Sequence, residues 1–401
     1  MVPTVNQLAQ NRFLIFDIES SGHHEGYIRH LISFFSENSK SEEVLIVAVG
    51  QELIGQLKQE FHSRNIIFRG LDEDLITTIK TSGLFLRSIT EWKLFRNLVQ
   101  ELKPSASLLM YMDTLLLGML LLPSAKSNVL GIYFRPHFHY PNQSLNLKER
   151  LSQLLKKLTL RLIFVKGSLQ NLLALDASSI ASLKEITGSA HIGVCPDPVE
   201  RHTVSQEDLS ELRIQFHLSE TQRKIFLIFG YLDERKGIEA TVAAIKLLNE
   251  SELLKLHLVI AGTIAPSYQK KIEDLLAELP KAALITTHLE KISGKAIQFF
   301  FDASDVVLAV YQKHIGMSSI LVRAAMSGKP VIADKYGLLG EIVYKKELGA
   351  SVDSSKAHDL KEAIILALSN NLKANKDAQM AIAEQNSVSR FGQVIFDTLS
   401  Q

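Results

Sequence analysis

Short apolar runs separated by helix-length amphipathic stretches recur along this chain, stop, and start again. In the first half the runs are Arg12–Ile18 (RFLIFDI, with Asp17 near its end), Val44–Val49, Asn65–Phe68, Leu108–Met112, Val129–Phe134 and Leu162–Lys166. Helical patterns lie between them: Gly26–Phe35, Ser88–Leu102 with Trp92, Phe95, Leu98 and Val99 at helical spacing, and Leu151–Leu158. Strands that alternate with helices must be joined by crossovers, so they form a parallel sheet covered on both faces. The rhythm breaks over Gly193–Gln222, which carries Pro196 and Pro198 and then a polar segment. It restarts at Lys224–Phe229 (KIFLIF). Strands Leu256–Ile260, Ala283–Thr287, Val306–Val310 and Pro330–Ala333 follow, interleaved with helices 237–249, Ser267–Leu279, Ser293–Ala303, Ser319–Ser327 and Asp359–Asn370. The expected architecture is therefore α/β: two doubly wound parallel-sheet domains, residues 1–198 and 223–385, joined by a linker at 199–222. Ser387–Leu399 reads as one further amphipathic helix. Ligands of such sheets bind beyond the carboxyl ends of the strands, so functional residues are expected just after strands, facing a central cleft.

With 401 residues the chain is too long for one ordinary core. Lys plus Arg (44) balances Asp plus Glu (43), a net charge of +1, so no global basic field points to nucleic acid. The one cysteine, Cys195, can form no intramolecular disulfide and anchor no cysteine-rich metal cluster; a buried small apolar residue is the favoured reading over a nucleophile. The N-terminal MVPTVNQLAQNR has no apolar signal core. Ser107–Leu122 is the most membrane-like stretch, but it is short and carries Asp113 in its middle. It reads as a buried strand, a turn at Asp113 and a buried helix. A cytoplasmic chain is expected, with peripheral attachment at the inner face of the membrane left open.

Chemistry concentrates in four places. In Phe229–Gly237 (FGYLDERKG), a strand ends at Gly230 and Arg235 and Lys236 precede a helix start; two cations beside such a start suit a diphosphate, and a solvated basic turn is the alternative. In Tyr311–Ile332, the small residues Gly316, Ser318 and Ser319 lead into a helix whose exposed amides suit a phosphate, or which is simply well capped. After the first strand, Gly22 and Gly26 permit close backbone approach, and His24 or Glu25 is a candidate for the cleft; the adjacent His23 points elsewhere, against a shared metal site. Phe134–Tyr140 (FRPHFHY) places His137 and His139 on one side of an extended segment with Arg135, while Asp113 ends the neighbouring strand; surface packing and turn capping are the alternatives.

FGYLDERKGIEATVAAIKLL resembles the opening of the donor domain of the GT-B glycosyltransferases in their large retaining family, a pattern falling here on Gly230, Leu232, Lys236 and Gly237. AAMSGKPVIADKYGLLGEIV is similar to a second segment of that family, on Ala325, Met326, Gly328, Pro330, Val331, Gly337, Glu341, Ile342 and Val343. LHLVIAGTI and FFFDASDVVLAVY match the segments between. SVSRFGQVIFDTL resembles the closing helix, which in the family returns to the N-terminal domain; here that helix is residues 386–401. The resemblance covers most of residues 224–401. It implies two Rossmann-like domains, acceptor-side and donor-side, and a nucleoside diphosphate sugar as donor substrate with no cofactor or metal. Lys236, Arg235 and the amides near Ser318–Ser319 would hold the diphosphate, and Gly22, Arg135 and His137 would approach the donor phosphate or sugar. Two glutamates usual in the family are replaced: alignment puts Ile315 and Arg323 in their places, so Arg323 is left to meet a phosphate or a neighbouring acid.

The expected activity is transfer of a sugar from a nucleoside diphosphate sugar to a hydroxyl acceptor (carbohydrate, lipid-linked or small molecule), with retention and without a metal. A catalytically degenerate scaffold or binding protein, and a nucleotide-sugar epimerase on the same architecture, are the alternatives.

Overall fold

A computed structural model describes residues 11–19, 23–134, 136, 147–189, 191–219, 222–312, 314 and 316–401, with residues 23 and 147–149 described by backbone alone. The backbone divides into two compact units, one of residues 1–198 with 388–401 and one of residues 199–387. The first runs β1 (Asn11–Phe16), α1 (His23–Asn38), β2 (Glu43–Gly50), α2 (Gln51–Glu60), β3 (Ile66–Leu71), α3 (Glu73–Thr81), α4 (Leu84–Leu102), β4 (Ala106–Leu109), α5 (Leu116–Leu121), β5 (Asn128–Tyr133), α6 (Leu147–Val165), β6 (Asn171–Ala174), α7 (Ile180–Thr187) and β7 (Ile192–Val194). The second runs α8 (Gln206–Gln215), β8 (Lys224–Phe229), α9 (Ile238–Ile245), α10 (Glu250–Leu253), β9 (Leu256–Ala261), α11 (Gln269–Ala277), β10 (Leu284–His288), α12 (Lys295–Ala303), β11 (Val306–Ala309), α13 (Ser319–Met326), β12 (Val331–Asp334), α14 (Gly337–Lys345), β13 (Gly349–Val352), α15 (Ala357–Leu368) and α16 (Lys376–Gln385). The last helix, α17 (Val388–Leu399), belongs to the first unit.

Each unit is built on one fully parallel sheet, in the order β3-β2-β1-β4-β5-β6-β7 and β10-β9-β8-β11-β12-β13. The central strands are largely apolar because both faces are covered. Successive side chains of one strand enter opposite cores: Leu14 and Phe16 join one cluster and Phe13 and Ile15 the other, and Ile225, Leu227 and Phe229 are likewise divided from Phe226 and Ile228. The chain order reverses direction between β1 and β4 and again between β8 and β11. Helices on either side of such a pair lead away from each other, which leaves a crevice at the carboxyl ends of the two strands.

One element differs in kind from the sequence expectation. Leu162–Lys166 is not a strand; it is the end of α6, and the strand that follows is β6. Leu160 and Ile163 are buried three residues apart while Leu162 and Val165 stay exposed, so the run has a helical rather than an alternating face. The segment 199–222 contains α8, closed at its start by a capping box between Ser205 and Asp208. Residues 107–122 hold the rest of β4 and α5. Among the described residues no helix is long and apolar enough to cross a membrane.

Candidate functional site

In the second unit, the crevice between β8 and β11 is shaped by glycine. Gly230 leaves β8 at φ 112°, and Gly262 leaves the neighbouring β9 at φ 132°. A Cβ on Gly262 would lie 1.9 Å from the Gly230 carbonyl oxygen, so the two backbones cross at a separation no side chain tolerates. Asp233 then accepts from the Arg235 N–H (3.1 Å) and starts the single 3-10 turn Glu234–Lys236. Gly237 (φ 70°) presses against Val310 at the end of β11, where a Cβ would meet the carbonyl oxygen at 2.2 Å. The chain is thereby folded back over the strand ends, and Lys236 is turned inward rather than towards solvent, only 4 % exposed.

The Lys236 ammonium donates to the Phe229 carbonyl (2.7 Å) and to the Tyr311 hydroxyl (2.8 Å). Tyr311 also receives the Ser318 hydroxyl at 3.4 Å, and Ser318 caps α13 by accepting from the Ile320 N–H. One tyrosine oxygen thus ties the cation after β8 to the start of α13, where backbone N–H groups are left unpaired by helix geometry. Arg235 sits at the rim, its Nη1 3.4 Å from His314 Nδ1 and its guanidinium 5.9 Å from the Tyr311 ring centre. Burial, and then the Arg235 charge, push the His314 pKa below the ordinary histidine value, so its ring is neutral and accepts from Arg235 while Nε2 faces the Met317 carbonyl. Gly230, Arg235, Lys236, Gly316, Ser318 and Ser319 are brought together here. Arg323, one turn into α13, has Nη1 3.5 Å from the Glu200 carbonyl; residue 315 lies outside the described residues. Tyr311 and His314 were not singled out from the sequence. The available signal was that Tyr311 follows a buried strand directly, as Gly230 does.

The first unit has its own cluster at the β1–β4 crevice. Asp17, buried just after β1, meets His24 Nδ1 at 2.7 Å from the first turn of α1. The His24 ring stacks on Phe134 (centroids 5.9 Å apart, planes 14° apart) and packs edge-on against Tyr111 (5.4 Å). Asp113 accepts the Phe134 N–H at 3.0 Å, so His24 and Asp113 converge on one residue after β5. Burial disfavours the imidazolium, but the Asp17 hydrogen bond and charge outweigh it, and the His24 pKa stands above the ordinary value. Gly22, Arg135 and His137 lie outside the described residues. In the sequence Asp17 stands out only as the residue near the end of the first apolar run. Among the described residues no three His, Cys, Asp or Glu side chains gather as a metal site would need.

Behind this cluster, Glu91 accepts from the Thr114 hydroxyl (2.9 Å) in the core beside α5. Burial pushes its pKa from 4.5 up to about 7, against the pull of Thr114 and Arg87. Between those values the folded chain keeps a proton that the unfolded chain has lost, so stability falls as pH rises through the window. Glu91→Gln is expected to flatten this slope, leaving the variant more stable than wild type at pH 8 relative to pH 4 by about 3 kcal/mol. Urea midpoints measured across pH 4–8 check this; parallel curves for the two proteins would remove the buried acid as the source.

Residues 210–386 match the family model "Glycosyl transferases group 1". The second unit is a glycosyl transferases group 1 domain. A curated relative, the D-inositol 3-phosphate glycosyltransferase of Arthrobacter sp., is 25 % identical over 171 residues, 42 % of this chain. The match spans 40 % of that relative's length. Solved structures extend the likeness to both units. A glycosyltransferase from Rickettsia africae superposes with a TM-score of 0.69 at 14 % identity, covering 97 % of each chain. Anabaena HepE, solved with UDP and glucose, gives 0.66 at 16 % identity, covering 97 % of this chain and 99 % of its own. At such identities the likeness is one of fold, and the fold is GT-B. In the group 1 domain, the crevice bearing Lys236, Tyr311 and Ser318 is at the β8–β11 reversal.

Proposed function

We propose that the chain transfers a sugar from a nucleoside diphosphate sugar to a hydroxyl acceptor, and that the group 1 domain holds the donor. The observation that carries this is the buried Lys236 ammonium, linked through Tyr311 to the capped start of α13. An ammonium has three protons, and two are placed on protein oxygens among the described residues. The third, with Arg235 and the α13 amides, suits the negative charge that builds on a departing diphosphate. The HepE structure with UDP and glucose supports a nucleotide sugar as the donor. His137, His24 and Asp113 are proposed as the catalytic residues, His137 against the donor sugar; Gly22, Arg135, Gly230, Arg235, Lys236, Gly316, Ser318, Ser319 and Arg323 are proposed to bind the donor and its phosphates. Transfer with retention along a front-face path needs no side-chain nucleophile, and the phosphate charge is met by cationic side chains and amides rather than by a divalent ion.

A panel of nucleotide sugars and their nucleoside diphosphates tests the reading. One nucleotide should raise the melting temperature, since ligand at a hundred times Kd adds about 2.7 kcal/mol to the folded state. The matching sugar nucleotide should then be consumed in the presence of an acceptor, with EDTA leaving turnover unchanged. No stabilisation by any nucleotide at millimolar concentration would sink the proposal. Stabilisation without turnover would favour a donor-binding scaffold, and epimerised donor without acceptor an epimerase.

A further inference from the structure

Helix α6 carries two apolar faces. One packs inward through Leu160 and Ile163. On the opposite side Leu151, Leu154, Leu155, Leu158, Leu162 and Val165 follow each other at spacings of one to four residues, each between 41 and 75 % exposed. By helix geometry they form one stripe about 100° wide. Leu121, at the end of α5, is also 55 % exposed, and the Lys166 ammonium holds that end of α5 to the end of α6 by donating to the Leu120 carbonyl (2.7 Å). Isolated exposed leucines are ordinary; a continuous stripe on one helix marks a contact surface.

Charge identifies the partner. Residues 150–166 contain Arg150, Lys156, Lys157, Arg161 and Lys166 and no Asp or Glu. Arg150, Lys157 and Arg161 are seven and four residues apart and so lie along one flank of the stripe. We propose that this face of α6 docks on an anionic lipid surface, with the leucines entering the interface and the basic flank against the headgroups. A second copy of the chain fits poorly. Two such stripes paired antiparallel would set basic flank against basic flank, and paired parallel the same helix would offer it no carboxylate beyond Glu149 at its start. This inference stands apart from the transferase reading, and its readout involves no donor, so either can fail without the other.

Co-sedimentation of the full chain with vesicles tests it. The chain should pellet with vesicles of phosphatidylglycerol and phosphatidylcholine in equal parts, and bind phosphatidylcholine vesicles at least tenfold more weakly. Leu154→Ser/Leu158→Ser and, separately, Lys157→Gln/Arg161→Gln should each weaken binding to the anionic vesicles at least tenfold with unchanged melting temperatures. The second pair leaves the leucines intact and keeps the test open if the first proves unstable. No pelleting of the wild type, or equal binding by folded variants, would overturn the proposal. So would a dimer in light scattering that Leu154→Ser/Leu158→Ser dissolves, which would assign the stripe to a second copy.

Discussion

Lys236→Met is expected to weaken binding of the nucleoside diphosphate that best stabilises the wild type by roughly 10- to 100-fold, the loss of a charge-assisted bond of about 1.5–3 kcal/mol. Methionine keeps the volume and apolar stem of lysine but removes all three protons. The Phe229 carbonyl and Tyr311 hydroxyl would then lose their shared donor. A stability loss of about 1–3 kcal/mol should accompany the binding defect, because a buried carbonyl is left unpaired. The two effects are separable: calorimetric titration well below the melting temperature reads affinity, and a melting scan without ligand reads stability. Unchanged affinity in folded variant would remove Lys236 from the donor site. A stability loss alone would leave it as an internal clamp between the ends of β8 and β11.

Gly262→Ala should have the largest effect on stability of any change at this crevice. The new Cβ meets backbone, the Gly230 oxygen at 1.9 Å, at a φ of 132° that alanine avoids. Backbone cannot swing aside as a side chain can, so the cost should reach about 3 kcal/mol or more, a fall of about 6–12 °C in melting temperature. Gly188→Ala provides the control: its φ is also positive (67°, with ψ 15°), but nothing lies within 4 Å of the added atom. Only the left-handed conformation is penalised there, at about 1 kcal/mol. Equal losses in both variants would show that the crossing of β8 and β9 relaxes easily and does not hold Gly230 in place.

Much of the fold was legible because buried parallel strands are continuous apolar words. KIFLIF and LHLVIA permit few other readings, and both proved to be central strands. Leu162–Lys166 misled for the same reason: a short apolar run fits a strand or a helix end, and only the burial of Leu160 with Ile163 separates them. The glycines and cations around residue 236 were legible through motif spacing, but the inward turn of Lys236 was not. That turn depends on Gly237 pressing against Val310, a contact between residues 73 positions apart. Asp17 and Tyr311 escaped notice because a polar residue after a strand carries no local sign of its partner. His24 and Ser318, which they meet, each stand seven residues further on, at the start of the following helix, and nothing in the intervening loop marks the pairing.

The return of α17 makes the first unit discontinuous. Phe391, Ile395 and Leu399 are buried in the same core cluster as Phe13, Ile15, Tyr27 and Ile28, and Gly392 is so close to Phe34 that a Cβ would lie 2.2 Å from its ring. Val199 donates to the Asn386 carbonyl at 3.0 Å, so the chain leaves and re-enters the first unit side by side. Synthesis runs from residue 1 onwards, and the second unit is complete in sequence at residue 387. The unit begun first is therefore the one finished last. For the whole time that residues 199–387 are being made, the α1 side of the first sheet waits with a vacant, apolar seat, which α17 then closes.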